Sequence, residues 1–174
     1  MVQIRERDLS AREIFFVTQT LTKLAADSGT KVLVNDRVDI AACTGAGVHL
    51  TTRSLPVEVV RRKTDRPMLI GASTHNIDEV KAAENGGADF VVFGPIFETS
   101  SKAEYGPPAG IEALSRVASS TKIPVLALGG IKPSNYLDVL DAGAAGIAGI
   151  SMFTDAEDLA GLIAQIKSRR VLTD

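Results

Sequence analysis

Six short polar constellations carry residue types suited to charged ligands: Gln3-Ile4-Arg5-Glu6-Arg7, Asn35-Asp36-Arg37, Ser73-Thr74-His75, Gly94-Pro95 through Lys102, Gly129-Gly130, and Ser151. Leu128-Gly129-Gly130-Ile131 stands just before a Pro133-Ser134 helix start. Its glycines let backbone N–H groups approach a phosphate with a helix dipole behind them. Ser151 could complete that cradle, and a plain tight turn is the competing reading. Glu98-Thr99-Ser100-Ser101-Lys102 is a hydroxyl-rich run ending in a cation, able to donate several hydrogen bonds to a diphosphate or to close over a substrate. An ordinary solvated loop has the same composition. On an extended segment Arg5 shares a face with Gln3 while Glu6 points the other way, so Gln3 and Arg5 could both face a pocket. Arg5, Glu6 and Arg7 suit a surface ion pair equally well. Asn35-Asp36 sets a carboxylate beside an amide, which fits a Mg²⁺ that keeps most of its water and bridges phosphates; Asp36 fits equally as a helix N-cap. His75, close after Ser73, is a candidate proton shuttle. His49, within Val48-His49-Leu50, reads as a side chain that packs against its neighbours, and Cys43 as a structural residue.

Short apolar runs separated by helical periodicity position these groups. The strand candidates are Val2 to Arg5, Lys31 to Asn35, Gly47 to Leu50, Met68 to Ser73, Ala88 to Phe93, Pro124 to Leu128 and Gly146 to Ser151. Their continuous apolar character suits parallel strands covered on both faces. Between them, Ser10 with Glu13 forms a capping box ahead of Ile14, Val17, Leu21 and Leu24, in a helix that should end near Gly29. Asn76, Ser134 and Asp155 are the expected caps of three later helices. Gly45-Ala46-Gly47, Gly87-Ala88-Asp89 and Gly143-Ala144-Ala145 each close a helix and open a strand, a weak repeat that favours a barrel of equal units. A doubly wound open sheet is the alternative, because strand order is invisible in one sequence. Each polar constellation closes a different strand, the end of a parallel barrel where catalytic groups sit, so all would converge around one pocket. The chain reads as seven βα units of about 25 residues in 174. A (β/α)₈ barrel needs eight units and typically about 250 residues. The expected fold is therefore α/β, a TIM (β/α)₈ barrel lacking its first β/α unit, in a single domain over residues 1–174.

Composition narrows the classes. Nineteen basic against 21 acidic residues leave a formal net charge of −2, a poor match to nucleic acid. Apolar residues make up 45% and charged residues 23%, as in soluble globular chains. No apolar run approaches the roughly 20 residues of a membrane span, and the N-terminus is too charged for a signal peptide, so a cytoplasmic protein is expected. One cysteine excludes an intrachain disulfide. Exposed strand edges in an incomplete barrel lead us to expect a homo-oligomer.

Taken in order and spacing, Val2-Gln3-Ile4-Arg5-Glu6-Arg7-Asp8, Val34-Asn35-Asp36-Arg37, Gly47-Val48-His49-Leu50, Ser73-Thr74-His75, Phe93-Gly94-Pro95-Ile96-Phe97, Thr99 to Lys102, Ala127 to Ile131 and Gly149-Ile150-Ser151 resemble the thiamine phosphate synthase and TenI family of (β/α)₈ barrels. The resemblance implies a transferase of thiamine biosynthesis that joins hydroxymethylpyrimidine diphosphate to thiazole phosphate with release of pyrophosphate. Its catalytic residues would be Arg5, Lys102 and Ser73. Arg5, Asn35 and Lys102 would hold the diphosphate, with Asp36 as a ligand of Mg²⁺. Gln3 and Ser73 would touch the pyrimidine or its diphosphate, and Thr99 and Ser101 would reach the substrate through the loop. Gly129, Gly130, Ile150 and Ser151 would bind the thiazole phosphate. Two departures stand out. Thr51-Thr52-Arg53-Ser54 replaces a stretch that in the synthase reads Gly-Gln and then an Asp helping to hold Mg²⁺, and Arg7 replaces a Lys while keeping its place among the substrate-binding groups. They lean toward the TenI branch, a thiazole tautomerase whose His after Phe-Gly is here Pro95; His75 or Glu98 would then have to move the proton. A phosphate-ligand binder without catalysis is the third reading.

Overall fold

In the computed structural model, which describes residues 1–64, 67–99 and 107–170, the chain is an α/β fold built on one seven-stranded parallel sheet. The strands are β1 (Val2–Ile4), β2 (Val32–Asn35), β3 (Gly47–Leu50), β4 (Ile70–Thr74), β5 (Phe90–Phe93), β6 (Val125–Leu128) and β7 (Gly146–Ala148). They pair in sequence order, so each crossover returns to the neighbouring strand and every strand ends at the same rim of the sheet. That order discards the doubly wound alternative. Among the described residues β1 and β7 do not pair, and the sheet has two edges.

The connecting helices are α1 (Ala11–Ala25), α2 (Val38–Thr44), α3 (Val57–Lys63), α4 (Ile77–Asn85), α5 (Gly110–Ser120) and α6 (Tyr136–Asp141), followed after β7 by α7 (Ser151–Thr154) and α8 (Leu159–Arg170). Alternation along each strand sorts the two faces of the sheet. Val34, Val48, Leu50 and Ile70 pack with Ile14, Ile40 and Val60 of the helices, and Val91, Phe93, Val125 and Ala127 pack with Val80, Leu114, Val117 and Val139. The opposite face gathers Leu33, Leu69, Phe90, Val92, Leu126, Leu128 and Ala148 with no helical residue. Leu33 and Phe90 share this cluster although two strands separate theirs, which requires the sheet to curl into a half-barrel around it.

Local chemistry fixes the helix starts. Glu13 accepts from the Ser10 amide at 2.8 Å, completing the capping box, and these bonds hold the Glu13 carboxyl below the usual carboxylate range. The Asn76 side chain caps α4 by accepting from Glu79 N at 2.9 Å. Three boundaries differ from the sequence reading. Strand β7 stops at Ala148, and Ser151 opens the short helix α7. Helix α6 starts at Tyr136, because the Asn135 side chain accepts from Lys132 N at 2.7 Å and closes a turn over the stretch assigned to the Ser134 cap. Asp155 ends α7 instead of starting the last helix, whose first turn is held by Asp158 accepting from Gly161 N at 2.8 Å.

At the amino-terminal ends of the strands, the Arg61 guanidinium donates to the Gly87 carbonyl, to the Met68 carbonyl at 2.8 Å and to the Asp89 carboxylate at 2.7 Å. Asp89 in turn accepts from Ile70 N at 2.6 Å, so α3 is stitched to the entrances of β4 and β5. No helix among the described residues is long and apolar enough to cross a membrane.

Candidate active site at the carboxyl ends of the strands

On the concave face, period-two alternation lines up Gln3 of β1, Asn35 of β2, His49 of β3 and Ser73 of β4. Their side chains join into one row. Gln3 Nε2 donates to Asn35 Oδ1 at 3.1 Å and meets His49 Nδ1 at 2.8 Å; His49 Nε2 meets Ser73 Oγ at 3.3 Å. Below the row the His49 ring lies parallel to Phe90, 9° between planes and 6.4 Å between centroids. Room for the Phe90 ring comes from Gly71, where a Cβ would collide with Phe90 Cζ and sit 2.6 Å from Cε2. The packing read for His49 is present, and so is a polar role that the sequence reading missed. Its signal was available: in Gly47-Val48-His49-Leu50, His49 faces away from Val48 and Leu50 and toward Gln3 and Asn35.

One residue beyond this row, Asp36 donates its amide to the His49 carbonyl at 2.9 Å and adopts φ +60, a conformation that Asp and Asn tolerate better than most residues. Its carboxylate is exposed. Asp36 does not cap α2, whose N-cap is Arg37 with no side-chain cap bond. Arg37 instead grips Asp39 through two bonds, Nε to Oδ1 at 2.9 Å and Nη2 to Oδ2 at 2.5 Å. That pairing raises the Arg37 pKa and lowers that of Asp39, with a smaller contribution from the Asp36 charge to Arg37. Asp36 is thus an exposed carboxylate of this rim that caps no helix. In the β3–α3 connection Ser54 Oγ accepts from Thr51 N at 2.7 Å and lies 3.1 Å from Thr51 Oγ1, so Ser54 closes a turn. Arg5 and Arg7 follow β1 on the exposed surface, and neither makes a hydrogen bond or ion pair to another described residue.

Across the half-barrel, Gly129 and Gly130 take φ +102 and +64. A Cβ on Gly129 would lie 2.6 Å from Pro95 Cβ, and one on Gly130 2.6 Å from the Glu98 carbonyl oxygen. The β5–α5 loop runs directly against this turn, with Ile96 N donating to the Leu128 carbonyl at 2.9 Å and Phe97 N to the Gly129 carbonyl at 3.0 Å. Asn135 Nδ2 ties the far side of the turn to the Gly130 carbonyl at 3.1 Å. Positive φ and close packing against the β5–α5 loop thus require glycine at both positions, and they give the junction a fixed shape. Ile150 is exposed and serves as N-cap of α7; Ser151 is the first residue of that helix. Thr99 is half-buried and engaged, whereas Ser101 and Lys102 lie outside the described residues.

His75 pairs with Glu79. Glu79 Oε2 accepts from the His75 amide at 2.7 Å and lies 3.1 Å from His75 Nδ1, while Glu79 Oε1 accepts from Asn76 Nδ2 at 2.8 Å. The imidazole thus belongs to the N-terminal turn of α4.

The family described as thiamine monophosphate synthase matches residues 1–153. A thiamine-phosphate synthase of Chlorobium luteolum is 43% identical over 158 residues, which are 90% of this chain and 74% of that protein. The same-named protein of Halalkalibacterium halodurans is 40% identical over 162 residues, 92% of this chain and 77% of its own length. Among solved structures, a thiamine phosphate pyrophosphorylase from Pyrococcus furiosus superposes with a TM-score of 0.84 at 34% identity, covering 95% of this chain and 80% of its own.

Proposed function

The chain belongs to the thiamine monophosphate synthase family, and from that premise we propose that it forms thiamine phosphate from hydroxymethylpyrimidine diphosphate and thiazole phosphate. The bond between the pyrimidine methylene carbon and the diphosphate oxygen breaks, and pyrophosphate leaves with the electron pair. The thiazole ring nitrogen then donates its lone pair to that carbon, closing the new C–N bond. No proton has to be removed for the bond to form. The demand is electrostatic: negative charge grows on the leaving group and positive charge on the methylene, and fixed dipoles and cations answer both.

The observation that carries this reading is the joined row Gln3–Asn35–His49–Ser73, set at one rim with Arg5 and Asp36 beside it. Arg5 and Asn35, with Lys102 and Arg7, would hold the diphosphate; Gln3 and Ser73 would hold the pyrimidine, and Thr99 and Ser101 would contact substrate from the loop. Arg5, Lys102 and Ser73 are the groups we assign to catalysis. The Gly129-Gly130 turn with Ile150 and Ser151 would take the thiazole phosphate, where the loop after β6 adjoins a short extra helix, a recurrent phosphate position in (β/α)₈ barrels. In the same spirit we read the curled sheet as seven strands of a TIM-type barrel.

Magnesium suits Asp36. Its carboxylate is exposed and unused by a cap, and a water-rich Mg²⁺ bridging phosphates needs only one or two carboxylates. No group of three His, Cys, Asp or Glu assembles among the described residues, so the donor set fits a phosphate-bridged ion and not a protein cage. When bound there it would neutralise charge on the departing pyrophosphate.

The tautomerase reading needs a proton carrier, for which His75 and Glu98 are the candidates, whereas the synthase reaction needs none and draws on the row already joined at the rim. Mixing both substrates with Mg²⁺ and measuring released pyrophosphate tests the proposal. Stoichiometric pyrophosphate and thiamine phosphate are expected. Affinity for the phosphorylated rings without turnover, or isomerisation of a thiazole carboxylate phosphate without metal, would refute it.

A further inference from the structure

The reaction leaves His49 without a task, yet this imidazole is 8% exposed and engaged on both ring nitrogens inside the substrate row. The chemistry of its partners fixes its protonation. An amide nitrogen only donates, so Gln3 Nε2, 2.8 Å from Nδ1, requires Nδ1 to accept. In the neutral ring the proton then sits on Nε2, which donates to Ser73 Oγ at 3.3 Å. Having accepted, the Ser73 hydroxyl keeps its own proton to give. Gln3 spends both N–H groups within the row, one on His49 and one on Asn35 Oδ1, so Oε1 remains as its acceptor. Asn35, with Oδ1 engaged, keeps Nδ2 as a donor.

The geometry points to His49 as a positioning residue whose Nε2–H tautomer sets the polarity of the whole row: acceptor at Gln3, donors at Asn35 and Ser73. Such a row complements a heteroaromatic edge that gives one N–H to Gln3 and accepts at a ring nitrogen from Ser73. The opposite tautomer would force Gln3 to turn its oxygen toward the ring, and Asn35 and Ser73 would reverse in turn. Parallel stacking on Phe90 holds the ring plane in which this relay works. The inference rests on the synthase reading for the identity of the ligand, while the tautomer itself belongs to the free protein.

Two measurements decide it. With only two histidines in the chain, long-range ¹⁵N–¹H NMR of histidine-labelled protein, assigned by comparison with His75→Gln, reads the His49 tautomer directly. A neutral Nε2–H ring near pH 7.5 is expected; Nδ1–H, or a doubly protonated ring, overturns the inference. In kinetics, His49→Ala should raise KM for the pyrimidine diphosphate about tenfold while KM for the thiazole phosphate stays put. His49→Asn, whose Oδ1 falls near the place of Nδ1, should recover most of that loss. Equal rises in both KM values, or no rise in either, overturn the positioning role. A wild-type chain that releases no pyrophosphate defeats the synthase reading and leaves the tautomer measurement to judge His49.

Discussion

Replacing Gly71 with alanine strikes the support of the substrate row without touching any polar group. The added methyl would collide with Phe90 Cζ and stand 2.6 and 2.7 Å from Cε2 and Cε1, where carbon–carbon contacts ordinarily need about 3.5 to 4.0 Å. The ring must therefore withdraw by about 1 Å. It has little room to do so, because Phe90 is 5% exposed and clustered with Leu33 and Val92, and the His49 ring lies stacked against it. Overpacking of this kind costs about 2 kcal/mol, which for a chain of this length lowers Tm by about 4 to 8 °C. Thermal unfolding followed by circular dichroism measures that part. The displacement also moves His49 relative to Gln3 and Ser73, so the surviving folded enzyme should show a higher KM for the pyrimidine diphosphate and an unchanged KM for the thiazole phosphate. Trimming the ring in a Gly71→Ala/Phe90→Leu double variant should return part of the stability. An unchanged Tm together with unchanged KM values in Gly71→Ala would refute the packing chain from β4 through Phe90 to the row.

Asp36→Asn preserves the left-handed corner and removes the charge, so the Mg²⁺ concentration for half-maximal activity should rise about tenfold, as loss of a charge-assisted contact of about 1.5 kcal/mol would give; a Mg²⁺ titration of initial rates checks this. Acid should destabilise the fold through Glu13, Asp39 and Glu84, whose pKa values are lowered respectively by Ser10, by Arg37 and by the Lys122 amide. A carboxyl with a depressed folded pKa adds stability above its unfolded value of about 3.9 to 4.3 and loses it as pH falls through the folded value. Urea midpoints should hold from neutral pH to about 5 and decline below about 4, with a shallower decline in Glu84→Gln. The unpaired sheet edges, with Met1, Val2, Phe16 and Leu24 exposed near the β1 edge and α1, favour self-association. Light scattering is expected to report an oligomer, and a monodisperse monomer would refute that.

Much of this protein is written in local sequence. The seven parallel strands follow from apolar runs of four to six residues, and the caps at Ser10 and Asn76 from side chains that reach amides three residues away. The rim location of Gln3, Asn35, Asp36 and Ser73 follows from strand ends, because parallel pairing brings all of them to one side. Other features depend on neighbours far along the chain. Ser151 heads a helix and not a strand end, and Asn135 displaces Ser134 as the helix cap, since shifts of one to three residues are settled by competing turn bonds. Tertiary contact also explains why Gly129 and Gly130 carry no side chain, because the pressure that excludes one comes from Pro95, Phe97 and Glu98. The contact between His75 and Glu79 is likewise one that no motif announces. The clearest case is His49: period-two alternation determined which face it occupies, but its partners lie 46 residues before it and 24 after it in the chain. Only the curl of the sheet brings them within hydrogen-bond reach, and with that reach comes the fixed tautomer.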